Sequence, residues 1–212
     1  MKLIGMLDSP YVRRVAISLQ LLGLRFEHQS LSVFGGFEEF QRINPLVKAP
    51  TLICDDGEVL MESTLILQYA EAIADAGRSL MPTDRVDQQH ALRLIGLALT
   101  ACEKSVQIAY ERKLRPAEKQ HEPWVTRVTG QLLAAYELLE SECRKRLPAV
   151  TSDSIDQALI STAVAWQFTQ HMLPGIVAAE NFPSLQKLSQ QAEALREFSS
   201  APCGSTTYRQ AD

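Results

Sequence analysis

The sequence predicts an α/β domain followed by an all-α domain, and three observations predict it. Residues 1–77 mix short β-prone runs with helical periodicity. Residues 78–83, within the Gly77 to Thr83 stretch and including Pro82, break the pattern as a linker. Residues 84–212 then repeat almost throughout with helical spacing.

In chain order, Lys2–Met6 is a first strand, apolar and short. Pro10 to Leu22 is a helix with Val12, Val15, Ala16, Leu19 and Leu22 on one side and Gly23 as its stop. Arg25–Leu31 alternates weakly and reads as a second strand. A helix between two strands implies a right-handed βαβ unit with parallel strands. Phe34 to Ile43 is irregular around Gly35-Gly36, with one helical turn, and ends at Asn44-Pro45. Thr51–Cys54 and Glu58–Met61 form a hairpin through Asp55-Asp56-Gly57. Ser63 to Ala76 is a helix carrying Leu65, Ile66, Tyr69, Ala70 and Ile73 at helical spacing. The layout is β-α-β-α-β-β-α.

Beyond the linker, long amphipathic segments span about Asp84–Leu114, Pro123–Leu147, Ser154–His171 and Ser184–Phe198, punctuated by prolines. Few alternating β-branched runs occur there, so a helical bundle follows.

Composition excludes several function classes. The chain has 46% apolar and 22% charged residues and a formal charge of −4, with no basic stripe bearing interleaved aromatics; nucleic acid is not an expected partner. The densest basic run, Arg144-Lys145-Arg146, sits at a helix end before Pro148, where cations complement the dipole. No stretch approaches the ~20 apolar residues of a membrane span. Met1–Leu7 runs into Asp8-Ser9-Pro10 without a secretory cleavage pattern. Cys54, Cys102, Cys143 and Cys203 are scattered without a C-x-x-C, and the four histidines form no ligand-spaced pair. That argues for a reducing, cytoplasmic setting and no metal site.

Three segments carry candidate chemistry. Ser9 before Pro10 is a standard helix start, with Ser at N-cap and Pro at N1. The same geometry puts a hydroxyl where the dipole favours an anion, and such a donor raises the thiolate fraction of a bound thiol. No base for a serine nucleophile lies nearby in sequence. Pro50 is either a simple strand-entry proline or a cis-proline that turns the Ala49 backbone outward to pair with a peptide. Glu62-Ser63 is either a helix start with an acid on the dipole, or a carboxylate site at Ser63 beside an ammonium site at Glu62.

With Ser9-Pro10 after a first strand, Asn44-Pro45-Leu46-Val47-Lys48-Ala49-Pro50-Thr51-Leu52, and Glu62-Ser63 opening a helix, the chain resembles the cytosolic glutathione transferase superfamily. Asp153-Ser154-Ile155-Asp156-Gln157-Ala158 resembles the family's buried capping-box start, with Asp153 as N-cap and Asp156 reaching back. The resemblance implies a thioredoxin-like domain and a helical domain, usually in a homodimer. It implies Ser9 as the thiolate-stabilising hydroxyl and Ala49 with cis-Pro50 pairing with the cysteinyl backbone of glutathione. Glu62 and Ser63 would hold its γ-glutamyl end, and Lys48 would meet its glycyl carboxylate or the loop there. Val47 stands where the family usually has Gly, and Ala49 where it has Val or Ile. Serine at the catalytic position disfavours chemistry that relies on a protein thiol, and Cys54 reads as a small core residue. The acceptor, a hydrophobic electrophile or a peroxide, would lie between the two domains, with Tyr11, Phe34, Tyr110 and Trp166 as its apolar walls. The alternative is a non-catalytic binding or stress-regulatory protein on the same fold.

Overall fold

A computed structural model describes residues 1–145 and 149–208. The chain forms β1 (Lys2–Ile4), α1 (Pro10–Leu21), β2 (Glu27–Gln29), α2 (Phe37–Ile43), β3 (Thr51–Ile53), β4 (Val59–Met61) and α3 (Ser63–Ile73). There follow α4 (Arg85–Leu114), α5 (Glu122–Lys145), α6 (Gln157–Met172), α7 (Pro183–Glu193) and α8 (Arg196–Ser199). The fold is thus a thioredoxin-like first half, with a four-stranded mixed sheet and helices, followed by helices. The expected end of α5 at Leu147, with Arg146 and the stop at Pro148, lies outside the described residues.

Two compact units emerge: Met1–Leu80 with the chain from Glu193 onward, and Met81–Ala192. In the first, the strand order is β2-β1-β3-β4; β1 runs parallel to β2 and antiparallel to β3, which pairs antiparallel with β4. Strand alternation sends Ile4 and Ile53 to one face, where Phe40 of α2 joins Ile4 and Leu31 in an apolar cluster. Leu3 and Leu52 turn to the other face and are fully buried, while α1 and α3 pack on each other and on β1 and β4. The stretch around Phe34, expected to be irregular with a single turn, contains the seven-residue α2.

From Glu193 to Tyr208 the chain packs with this first unit. Arg13, 1% exposed on α1, donates from both terminal nitrogens to Glu193 at 2.7 Å and from Nε to the Ala201 carbonyl at 2.8 Å. A buried guanidinium held on all sides in this way keeps its charge satisfied inside the protein.

In the second unit α4 packs on α5 and α6. α6 is apolar nearly all round and buried from Gln157 to Trp166, as a central helix must be. Its Thr169 hydroxyl meets those of Ser105 at 2.7 Å and Tyr136 at 2.6 Å, so the core polar groups satisfy one another. Burial raises the Tyr136 phenol well above its ordinary pKa. Glu140 of α5, also buried, accepts from the Ser184 and Leu185 backbone N–H groups and so caps α7 from another helix.

The start of α6 corrects the capping expectation. Its N-cap is Asp156, whose carboxylate accepts from Leu159 N at 2.8 Å; Asp153 lies outside the helix. The preceding residues close a turn of their own, with Ile155 N and Ser154 N both donating to the Thr151 carbonyl, so the helix begins one turn later. Burial raises the Asp156 carboxyl pKa, against the bonds it accepts from the helix. No helix among the described residues is long and apolar enough to cross a membrane.

Candidate functional site

Strand register brings the predicted segments to one place. Ile4 pairs with Thr51, and Thr51 with Met61, both antiparallel. The chain leaving β1 toward Ser9, the chain entering β3 from Lys48-Ala49-Pro50, and the chain leaving β4 into Glu62-Ser63 therefore share one end of the sheet. Because Ile4 also pairs with Gln29 in parallel, the segment after β2, including Phe34, leaves at that end too. Ligands of α/β folds bind outside such strand ends.

Gly5 makes the junction close. At φ +134° it occupies a backbone conformation that L side chains rarely adopt, and a Cβ there would stand 2.6 Å from Val12 Cγ2 and 3.1 Å from Ala49 Cβ. Glycine thus lets α1 and the Ala49 loop approach β1 together. Sequence reasoning did not single it out; a glycine ending a buried strand was the available signal.

Ser9 occupies the N-cap of α1 with Pro10 at N1, in extended conformation, yet its side chain makes no cap hydrogen bond. Its backbone N–H donates to the Met6 carbonyl, and its own carbonyl accepts from Arg13 N. The half-buried hydroxyl is therefore not spent on the helix end.

The Ala49-Pro50 peptide is cis, Pro50 is buried, and Ala49 lies just outside the last β1–β3 pair. Asn44, buried at the end of α2, builds the loop in front of it. Its Oδ1 accepts from Leu46 N at 3.0 Å, and its Nδ2 donates to Thr51 Oγ1 at 2.9 Å. The Thr51 hydroxyl in turn donates to the Lys48 carbonyl at 2.7 Å. Lys48 itself is exposed. Val47 has φ +49°, the left-handed region where a β-branched residue is strained.

Glu62 has φ +74° and is the N-cap of α3. Its Oε2 accepts from Thr64 N at 3.1 Å, and the Ser63 hydroxyl lies 3.5 Å from its Oε1. Ser63 is fully buried, and its Oγ accepts from Arg14 Nη1 at 3.0 Å; Arg14 is only 2% exposed. The α3 N-terminus thus already holds a carboxylate, with a buried guanidinium behind it. In the sequence Arg14 reads only as one more polar residue of an amphipathic helix.

The four residues expected as acceptor walls differ in setting. Tyr11 is half-buried, and Phe34 is exposed. In the second unit Tyr110 is partly exposed, whereas Trp166 is a core residue, 3% exposed and wedged at 5.3 Å from the Tyr136 ring and 5.8 Å from that of Phe182. Helical spacing could not tell an inward-facing tryptophan of a central helix from a pocket wall. The second unit has its own open cavity of about 560 Å³, lined by Val86, His90, Leu94, Cys143, Asp156 and Leu159 among others, and it includes neither aromatic.

Burial pushes the thiols of Cys54 and Cys203 up and that of Cys143 to about 12, so none of the three is a thiolate at neutral pH. Among the described residues no cluster of three or more His, Cys, Asp and Glu could hold a metal ion.

The chain is similar to known proteins in sequence and fold. The family described as "Glutathione S-transferase, N-terminal domain" matches residues 3–78. The "Uncharacterized GST-like protein YibF" of Escherichia coli (strain K12) is 26% identical over 165 residues, covering 78% of this chain and 80% of that protein. A glutathione S-transferase of Methylobacterium radiotolerans, solved in complex with glutathione sulfonate, superposes with a TM-score of 0.83 at 26% identity, over 100% of this chain and 96% of that one. A glutathione transferase family member from Pseudomonas fluorescens Pf-5 with bound glutathione gives a TM-score of 0.80 at 26% identity, over 94% and 97%. Sequence, strand register and these likenesses agree: residues 3–78 belong to the glutathione S-transferase N-terminal domain family, and over nearly its whole length the chain is similar to glutathione transferases of known structure.

Proposed function

We propose that this protein is a glutathione transferase that binds reduced glutathione at the end of its sheet and directs the sulfur at a hydrophobic electrophile. The observation that carries the reading is the convergence of Ser9, Ala49-Pro50 and Glu62-Ser63 at one sheet end through the β1–β3–β4 register. Relatives of the same fold that were solved with glutathione support it.

In this reading the Ala49 backbone pairs with the cysteinyl unit, the α3 N-terminus receives the γ-glutamyl carboxylate, Glu62 takes the adjacent ammonium, and Lys48 faces the glycyl end. The Ser9 hydroxyl, not used by the helix cap, donates to the sulfur as its proton leaves to water. A thiol with a pKa near ~8.5 is mostly protonated at pH 7, so a donor at a helix N-terminus raises the reactive fraction. The thiolate then forms a C–S bond as the electrophile's leaving group departs with its electron pair; orientation and anion stabilisation supply the rate. The raised thiols of Cys54, Cys143 and Cys203 favour this serine-type chemistry over exchange through a protein thiol. A peroxide as acceptor, a cytoplasmic location and a homodimer of the 23.6 kDa chain belong to the same proposal.

Calorimetric titration with reduced glutathione, followed by turnover with an aryl halide, tests it. Saturable binding at millimolar concentration or below with measurable conjugation is expected. Absence of binding at millimolar glutathione overturns the proposal, and binding without turnover of any electrophile favours the non-catalytic alternative.

A further inference from the structure

We infer that Arg14 is a positioning residue for the carboxylate of the ligand's terminal amino acid, acting through the Ser63 hydroxyl; the inference rests on the glutathione reading above. Arg14 sits on α1, five residues after Ser9, and is buried. Its Nη1 lies 3.0 Å from Ser63 Oγ and 3.4 Å from Thr64 Oγ1, two residues in the first turn of α3. A guanidinium has only donors, so Ser63 Oγ must accept from it. With that lone pair engaged, the Ser63 proton is left to point toward an acceptor on the other side. In this structure that acceptor is Glu62 Oε1, at 3.5 Å.

The arrangement therefore sets a direction. Hydrogen bonds run from the buried Arg14, through a hydroxyl fixed as donor, to a carboxylate at the helix N-terminus that also accepts from Thr64 N. Here the carboxylate is Glu62's own. Ser63 is fully buried beside it, so a ligand carboxylate reaches the hydroxyl only by taking the place that the Glu62 carboxylate holds. A zwitterionic amino-acid terminus makes this exchange balanced: its carboxylate takes over the Ser63 and Thr64 donors, and its ammonium pairs with the displaced Glu62. A ligand end bearing an ammonium but no carboxylate offers nothing to the donors that Arg14 orients. Arg14 consequently selects for the carboxylate at that end of the ligand and has no part in binding its sulfur.

The test is a ligand-by-residue cycle. Wild type, Arg14→Met and Arg14→Lys are titrated with glutathione and with the analogue whose γ-glutamyl α-carboxylate is replaced by hydrogen, a 4-aminobutyryl-cysteinylglycine; thermal melts verify that each variant is folded. Arg14→Met is expected to weaken glutathione by about tenfold or more, the scale of a lost charge-assisted hydrogen bond, and the analogue by less than about twofold. Arg14→Lys, which keeps a cation but not the planar fork, is expected to recover part of the loss for glutathione only. If Arg14→Met fails to fold, the Arg14→Lys comparison alone decides, because a loss confined to glutathione is still required. Equal losses for both ligands mark a merely structural role and overturn the inference, as does unchanged glutathione affinity. Wild type that binds neither ligand overturns the glutathione reading itself, an outcome distinct from the other two.

Discussion

The backbone N–H of Tyr208 donates to Nδ1 of His28 at 2.9 Å, while the opposite nitrogen of the same ring meets the Gly5 carbonyl at 2.8 Å. An N–H can only donate and a carbonyl only accept, so the ring is neutral with its proton on Nε2. One buried imidazole thereby joins the segment at Tyr208, the edge strand β2 and the glycine at which β1 turns toward Ser9. The Tyr208 ring stacks on Phe26 at 4.6 Å, and Ser30 Oγ donates to the Ser205 carbonyl, so the same segment covers the β2 edge.

A pH dependence follows from this ring. Burial lowers the His28 pKa below its ordinary 6.5, against the bond to Gly5. The depressed folded value makes the contribution to stability complete above the unfolded pKa, and it declines as pH falls through that value toward the folded one. Thermal melts between about pH 7.5 and 5 should show falling stability on acidification. His28→Phe should be less stable by about 1–2 kcal/mol at pH 7.5, from two lost hydrogen bonds, with a shallower acid slope. An unchanged slope in the variant would remove His28 from the effect.

For Ser9, the structure separates the helix cap from the role proposed for its hydroxyl. An N-cap serine typically contributes about 1 kcal/mol, but this one makes no cap bond. Ser9→Ala should therefore shift unfolding free energy by less than about 0.5 kcal/mol, while conjugation to an aryl halide falls sharply. Chemical denaturation and steady-state kinetics on the same preparation check both halves; undiminished turnover would exclude Ser9 from the reaction.

Val47 should be a stabilising site. Its left-handed φ costs an L residue about 1–2 kcal/mol, partly offset by glycine's greater freedom when unfolded. Val47→Gly is expected to raise stability by up to about 1 kcal/mol. A lower urea midpoint would show that the packing of Val47 against the Ile4–Phe40 cluster outweighs the strain.

At the α6 N-cap, the acceptor oxygen matters more than the charge. Asp156 bonds Leu159 N, yet burial raises its pKa, so stability is greatest below the unfolded carboxyl pKa and is lost as pH rises through the folded value. Asp156→Asn should equal or exceed wild type at pH 7, with the difference shrinking toward about pH 4, whereas Asp156→Ala should lose about 1 kcal/mol. An Asn variant as unstable as the Ala variant would assign the cap energy to charge.

Much of the first unit was legible because its signals are local. Alternation and turn residues mark β3 and β4, Gly57 supplies the positive φ of their turn, and Ser9-Pro10 and Glu62-Ser63 mark helix starts within a few residues. The capping motif of the second half was legible in kind but displaced by one turn, because Thr151–Ile155 closes on itself first. Trp166 and Tyr136 share the same helical periodicity as a pocket wall would, and only packing shows that they face inward.

By itself, the sequence determined the β-α-β-α-β-β-α plan of the first half, the helical character of the second, whose last expected segment divides into α7 and α8, and the three motifs whose resemblance pointed to a glutathione site. These depend on neighbouring residues competing for a few backbone conformations. What only the tertiary structure decided are contacts whose partners lie far apart in the chain. The Arg14 bond to Ser63 spans 49 positions, Glu140 caps a helix more than 40 residues away, and Tyr208 meets His28 across 180. No local pattern records such pairs, since each arises from a buried polar group taking whatever partner the fold brings within hydrogen-bond reach.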